Sequence, residues 1–145
     1  MLSLEQALTI ASVTLQEGKK RGFAPLCVAV LDKGAHVVAL LRDERAAIWR
    51  PDIAIAKASS CLSMGFGGRE LARRAQAMPQ FFSVLSTVFP KGIVPLPGGV
   101  LLRNAAGELE GCVGVSGDTS DNDELCALAG IQAAGLVADT GAGAV

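Results

Sequence analysis

The chain has 145 residues, half of them hydrophobic and 19% charged, with a net charge of −1. That is enough apolar chain for one core without disulfide or metal staples, and too apolar for a disordered segment. Near-neutrality, 4% aromatics, no Tyr and a single Trp argue against a nucleic-acid surface, which needs basic surplus or stacking rings.

The opening MLSLEQAL starts a helix rather than a signal peptide, and no unbroken apolar span or basic amphipathic face points to a membrane. The expectation is therefore a cytoplasmic protein with one domain over 1–145, a frayed tail from about 140, and no nucleic-acid or membrane partner. Ser3 and Gln6 have capping-box spacing, and Leu4, Ala7, Leu8, Ala11 and Leu15 form one apolar stripe, so the first helix runs to about Lys20. Lys19, Lys20 and Arg21 suit its C-terminus, and Gly22 and Pro25 stop it.

LCVAVLD (Leu26 to Asp32) and HVVALLR (His36 to Arg42) flank Lys33-Gly34-Ala35, the pattern of a hairpin. Both runs are apolar at successive positions, as in strands buried on both faces or set in a subunit interface. Arg42 to Arg50 reads as an exposed charged loop. A second helix begins near Pro51 or Asp52 and carries IAIAKASSCLSM, in which Lys57 is a lone ammonium that must snorkel or find a partner. GFGG breaks it. A weaker helix over Arg69 to Met78 follows, with another turn or two up to Val88.

Pro95 and Pro97 mark an edge or a bulge before a second hairpin, whose firmest strand pieces are Val100 to Arg103 and Gly111 to Ser116. The last helix is expected from Ser120 to Ala138. It carries no charge after Leu125, which implies burial all round and a surface shared with another subunit. Short turns make each strand pair antiparallel, so the fold class is α+β.

Several residues could carry chemistry. His36, the only histidine, opens a strand after a turn: a half-exposed histidine or a metal or haem ligand. Pro97-Gly98-Gly99 leaves backbone N–H groups open to a ligand, or forms a bulge. GFGGRE fails the dinucleotide fingerprint, which needs a final Gly and a preceding strand. Cys27, Cys61, Cys112 and Cys126 sit in apolar runs without C-x-x-C spacing and read as buried free thiols.

The stretch GVSGDTSDNDE holds four of the fourteen acidic residues at a strand-to-helix junction. Thr119, Ser120 or Asp121 can cap the helix, and Asp123 and Glu124 complement its dipole. Capping uses one or two acids, not four, so some face a ligand or a metal, or capping suffices. Asp121, Asp123 and Glu124 are the metal candidates, too compact for an EF-hand.

Together, VAVLDKGAHVVALLR, the IAIAKA helix, PLPGGVLLR and GCVGVSGDTSDNDELCALAG resemble the GlcG/HbpS-like family, also called haem-degrading or DUF336 domains. The resemblance runs from about residue 26 to 130. It implies one α+β domain with a five-stranded antiparallel sheet flanked by helices, profilin- or PAS-like in layout, assembled as a homo-oligomer, a dimer or larger. It implies haem or another tetrapyrrole as the ligand or cofactor. Carried over residue by residue, it marks His36, Lys57, Gly98, Gly99, Ser116, Gly117, Asp118, Thr119 and Asp121 as ligand-binding, with Asp123 and Glu124 beside them. The chain departs from the family at Asp43-Glu44-Arg45-Ala46 and around Arg50-Pro51-Asp52.

Three readings of function follow. An oligomeric protein holds a small ligand between the PGG segment, the Lys57 helix and the acidic helix start. Alternatively, Lys57 with Asp121 and Glu124 forms an acid–base site acting on a small organic acid, a lysine desolvated by apolar neighbours being a ready base. The third is an accessory subunit without a ligand.

Overall fold

Ser3 caps the first helix as its spacing requires: its hydroxyl accepts from the Gln6 N–H at 3.0 Å, and the Gln6 side chain accepts from the Ser3 N–H at 3.0 Å. In this computed structural model, which describes residues 1–143, the chain runs α1 (Leu4–Lys20), β1 (Cys27–Asp32), β2 (Val37–Arg42), α2 (Arg50–Met64), α3 (Gly68–Ala77), α4 (Pro79–Val88), β3 (Gly99–Arg103), β4 (Leu109–Ser116), α5 (Ser120–Ala133) and β5 (Val137–Asp139). The strands form one five-stranded sheet in the order β2-β1-β4-β3-β5, antiparallel throughout. The α+β class and the five-stranded antiparallel sheet are as expected.

Alternation along the strands divides the core in two. Val28, Val30, Val100, Leu102, Val113 and Val115 face α1 and α5. Cys27, Ala29, Leu31, Leu101 and Cys112 face α2, with α3 and α4 completing that layer. β1 is buried on both faces, as its continuous apolar run implies. β2 is an edge strand, and Val37 is exposed. All four cysteines are buried and unpaired.

α2 lies unusually close to the sheet because small residues meet there. A Cβ on Gly114 would fall 1.9 Å from the Ala54 carbonyl oxygen, and one on Gly99 would fall 2.6 Å from the Cys61 sulfur. Glycine in β3 and β4 therefore sets how near the helix sits, with Ala54 and Ala58 a turn apart beneath it.

The helix expected from Ser120 to Ala138 ends at Ala133. Gly135 turns into the left-handed region at φ 74°, and the Gly135 and Leu136 N–H groups close the last turn on Gln132 and Ile131. The chain then pairs with β3, Leu102 opposite Ala138. The buried side of α5 meets α1 and the sheet of the same chain, while Leu125, Gln132 and Ala133 are exposed. Pro79 to Val88 forms a full ten-residue helix rather than a turn or two. Of the tail read as frayed, Thr140 accepts from the Arg69 N–H at 3.0 Å and Gly141 from the Arg73 side chain; residues 144–145 lie outside the described residues. Among those described, no helix is long and apolar enough to cross a membrane.

The close approach of α2 gives a direct expectation. Gly114→Ala should destabilise the protein by about 1–3 kcal/mol or more in urea unfolding, because the new methyl meets backbone that cannot yield. A loss under about 1 kcal/mol would mean the helix stands off the sheet.

Candidate functional site

The sequence candidates fall at opposite ends of the sheet. Cys27 of β1 pairs with Ser116, and Asp32 pairs with Gly111. The acidic junction thus sits at one end and the β1–β2 turn carrying His36 at the other, roughly 17–20 Å away along a six-residue strand.

At the acidic end the structure brings together Lys57, Gly98, Gly99, Ser116, Gly117, Asp118, Thr119, Asp121, Asp123 and Glu124. Lys57 rises from the middle of α2 and passes Gly98, where a Cβ would stand 3.0 Å from its ammonium nitrogen. Its Nζ donates to the Val115 carbonyl at 2.9 Å and to Asp123 Oδ2 at 3.1 Å. Lys57 is 3% exposed and Asp123 1%. Asp123 belongs to α5, on the other face of the sheet, so the pair ties the two helical layers together.

The remaining acids are also engaged. Asp123 Oδ1 accepts from the Asp118 N–H at 2.9 Å. Asp118 accepts from Ala24 N at 2.8 Å, Thr119 N at 2.9 Å and Asn122 Nδ2 at 2.7 Å. Those donors hold the Asp118 carboxyl below its ordinary range, the Ala24 N–H most of all. Thr119 is the helix cap, accepting from Asn122 N at 3.2 Å. Arg69 of α3 donates to Asp121 at 2.7 Å and to Glu124 at 2.9 Å. Ser116 accepts from Arg50 at 3.0 Å. A Cβ on Gly117 would lie 2.2 Å from the Pro25 oxygen.

Burial raises the Asp123 carboxyl above its ordinary value, outweighing the opposing pull of Lys57. Burial likewise raises Glu124 against Arg69, and Glu124 Oε2 is buried without a partner. Among the described residues, no three His, Cys, Asp or Glu side chains cluster to hold a metal ion. Asp121, Asp123 and one oxygen of Glu124 are engaged by Arg69 and Lys57. Arg69 and Arg50 were absent from the sequence candidates; for Arg69 the signal was the basic run after GFGG, opposite more acids than capping uses.

At the other end lies an open cleft of about 370 Å³, lined by Ala35, His36, Ser59, Ser63, Phe89 and Lys91 among others. A second hollow of about 390 Å³ continues it along α2 past Pro90 and Lys91 to Ile55 and Asp52. The β1–β2 loop positions His36. Asp32 Oδ1 accepts from the Gly34 and His36 N–H groups at 2.9 and 3.0 Å. The same oxygen stands 3.5 Å from His36 Nδ1, and the imidazole is 83% exposed. Nδ1 faces the carboxylate at a distance longer than a hydrogen bond, and Nε2 is the nitrogen left for a ligand. Ser59, Ser63 and the Phe89–Lys91 segment come from α2 and the α4–β3 connection, too distant in sequence for spacing to have joined them to His36.

Comparison with known proteins adds family context. The family model described as "Haem degrading protein HbpS-like" matches residues 2–132. HbpS is 30% identical with a TM-score of 0.77, covering 90% of this chain and 88% of its own. The Klebsiella pneumoniae DUF336 protein ORFY is 25% identical at a TM-score of 0.80, over 92% of this chain and 90% of that one. A structure titled as a PduOC:heme complex matches at a TM-score of 0.84 over 95% of this chain and 98% of that one; at 22% identity it speaks for the fold alone. No curated protein sequence matches.

The buried pair makes two expectations measurable by urea unfolding. Asp123→Ala should cost about 3–5 kcal/mol by leaving an uncompensated ammonium, whereas Lys57→Met with Asp123→Leu should cost much less. Equal losses would show that the two charges are not coupled. A carboxyl raised in the folded state binds its proton more readily there than in the unfolded chain. Its contribution to stability therefore declines as pH climbs above about 4, and Asp123→Asn should flatten that decline.

Proposed function

The chain belongs to the HbpS-like family, and from that premise we propose that it is a small-ligand-binding protein for haem or a related tetrapyrrole, held in the cleft beside His36. The observation that carries this reading is the exposed imidazole at the cleft, with Nδ1 against Asp32 and Nε2 unspent. The donor set fits the group. Imidazole is a common axial ligand of haem iron, and Phe89, Pro90 and Ala35 provide apolar wall for a flat macrocycle. Bound there, haem would supply an iron centre with its redox and ligand-binding chemistry. His36 would hold the iron, with Asp32 beside its Nδ1, and the Phe89–Lys91 segment would supply wall for the macrocycle.

The acidic end supports a different role. Lys57 and Asp123 are closed off and bonded to each other and to neighbouring backbone, which favours a binding protein over an acid–base enzyme built on that lysine.

The protein is further proposed to self-associate through α4. Phe82 and Leu85 face inward, yet Phe81, Val84 and Val88 stand 49%, 59% and 63% exposed on a helix with no charged residue. An uncharged apolar stripe of that kind marks an interaction surface. Native mass spectrometry at micromolar concentration should give a dimer or larger, and Val84→Glu should shift it to monomer. A wild-type monomer overturns this part of the reading.

Titration with ferric haem tests the ligand. Wild type should show a saturable Soret shift, and His36→Ala should lose the axial-ligand signature and at least about tenfold in affinity. No shift in wild type, or an identical one in His36→Ala, sinks the assignment.

A further inference from the structure

The cleft is bridged by one side chain. Lys91, in the connection from α4 to β3, donates from Nζ to the Ala35 carbonyl at 2.6 Å. Among the described residues no carboxylate pairs with it: Asp32 is engaged with Gly34 and His36, and Asp52, farther along the groove, makes no ion pair with Lys91 at 4.0 Å or less. An ammonium thus spends itself on a neutral oxygen, where a carboxylate would be the stronger, charge-assisted acceptor. Because the bond is exposed to water, changing partner costs little desolvation.

The acceptor is itself unusual. Ala35 has φ 65° and is the one non-glycine residue with positive φ among those described. It is the third residue of a three-residue hairpin loop, the place where glycine normally takes up the left-handed conformation. The strain sits between the cleft and His36, at the point that Lys91 holds, and such strain concentrates where a ligand is clamped.

We propose that the cleft selects an apolar ligand bearing a carboxylate, and that Lys91 is the residue that recognises the carboxylate, exchanging the Ala35 carbonyl for it. The inference deepens the cleft reading given above and rests on it, but it does not depend on iron. The ligand's apolar body lies against Phe89 and Pro90, with its acid on Lys91. A metal-free tetrapyrrole acid is bound by the same contact, and an esterified one loses it.

The test uses protoporphyrin IX and its dimethyl ester, followed by porphyrin fluorescence, with wild type, Lys91→Gln and Lys91→Arg. Thermal melting establishes that each variant is folded. Wild type should prefer the free acid by about tenfold, Lys91→Gln should bind both forms equally, and Lys91→Arg should restore the preference. Equal preference in wild type and Lys91→Gln overturns the proposal, as does failure of wild type to bind the free acid. The ferric haem titration of His36→Ala reports separately. An iron signature unchanged in His36→Ala, with the acid preference retained, refutes His36 ligation and leaves Lys91 standing. The reverse pattern refutes Lys91 and leaves the haem reading intact.

Discussion

A single buried charge pair, Lys57 with Asp123, holds the two helical layers in register around the end of the sheet. Burying both charges is expensive, and their attraction offsets the cost only if every remaining valence is satisfied. The surrounding sequence goes most of the way, filling both Asp123 oxygens and two of the three Lys57 protons. Gly98 leaves room for the ammonium, the Val115 carbonyl takes a second proton of Lys57, and the Asp118 N–H takes the second oxygen of Asp123. Asp118 then anchors the chain after α1 through Ala24. Four carboxylates that looked excessive for a helix start are thus a bonded framework, with Arg69 adding a second tie from α3 to α5.

The two ends of the sheet divide the work. At the acidic end nearly every polar group is spent on the protein itself, which gives rigidity and leaves little for a ligand. At the hairpin end, His36 keeps a free ring nitrogen and Lys91 holds only a carbonyl. Binding groups are more available where internal bonding is weak and solvent reaches, and the tightly bonded end keeps α2, whose serines line the cleft, from shifting under them.

Local patterns made much of the fold legible before the structure. The Ser3–Gln6 capping box, the Lys33-Gly34-Ala35 turn and the unbroken apolar run of β1 each fix an element by short-range chemistry. β5 was missed because GLVA continues an apolar, uncharged helix pattern, and only pairing with the free edge of β3 reveals it. The lone ammonium of Lys57 had to snorkel or find a partner, and nothing local said which, since the choice is made by the passage past Gly98. The cleft was illegible for a simpler reason. His36, Ser59, Ser63 and Lys91 belong to three separate segments, and no periodicity links them.

The strand order carries a kinetic consequence. β1–β2 and β3–β4 are neighbours along the chain, and each can close as a hairpin in roughly 1–10 μs. The sheet is completed only where β1 meets β4, a seam joining Cys27 to Ser116. Both strands of that seam are apolar on each face, so before it closes each half exposes a sticky edge. Long-range closure is the slow, entropically costly step. The chain's vulnerability to aggregation therefore lies in the interval before its two halves dock, and the charges of Lys57 and Asp123, one carried by each half, are placed to reward the correct docking and to penalise a slipped one.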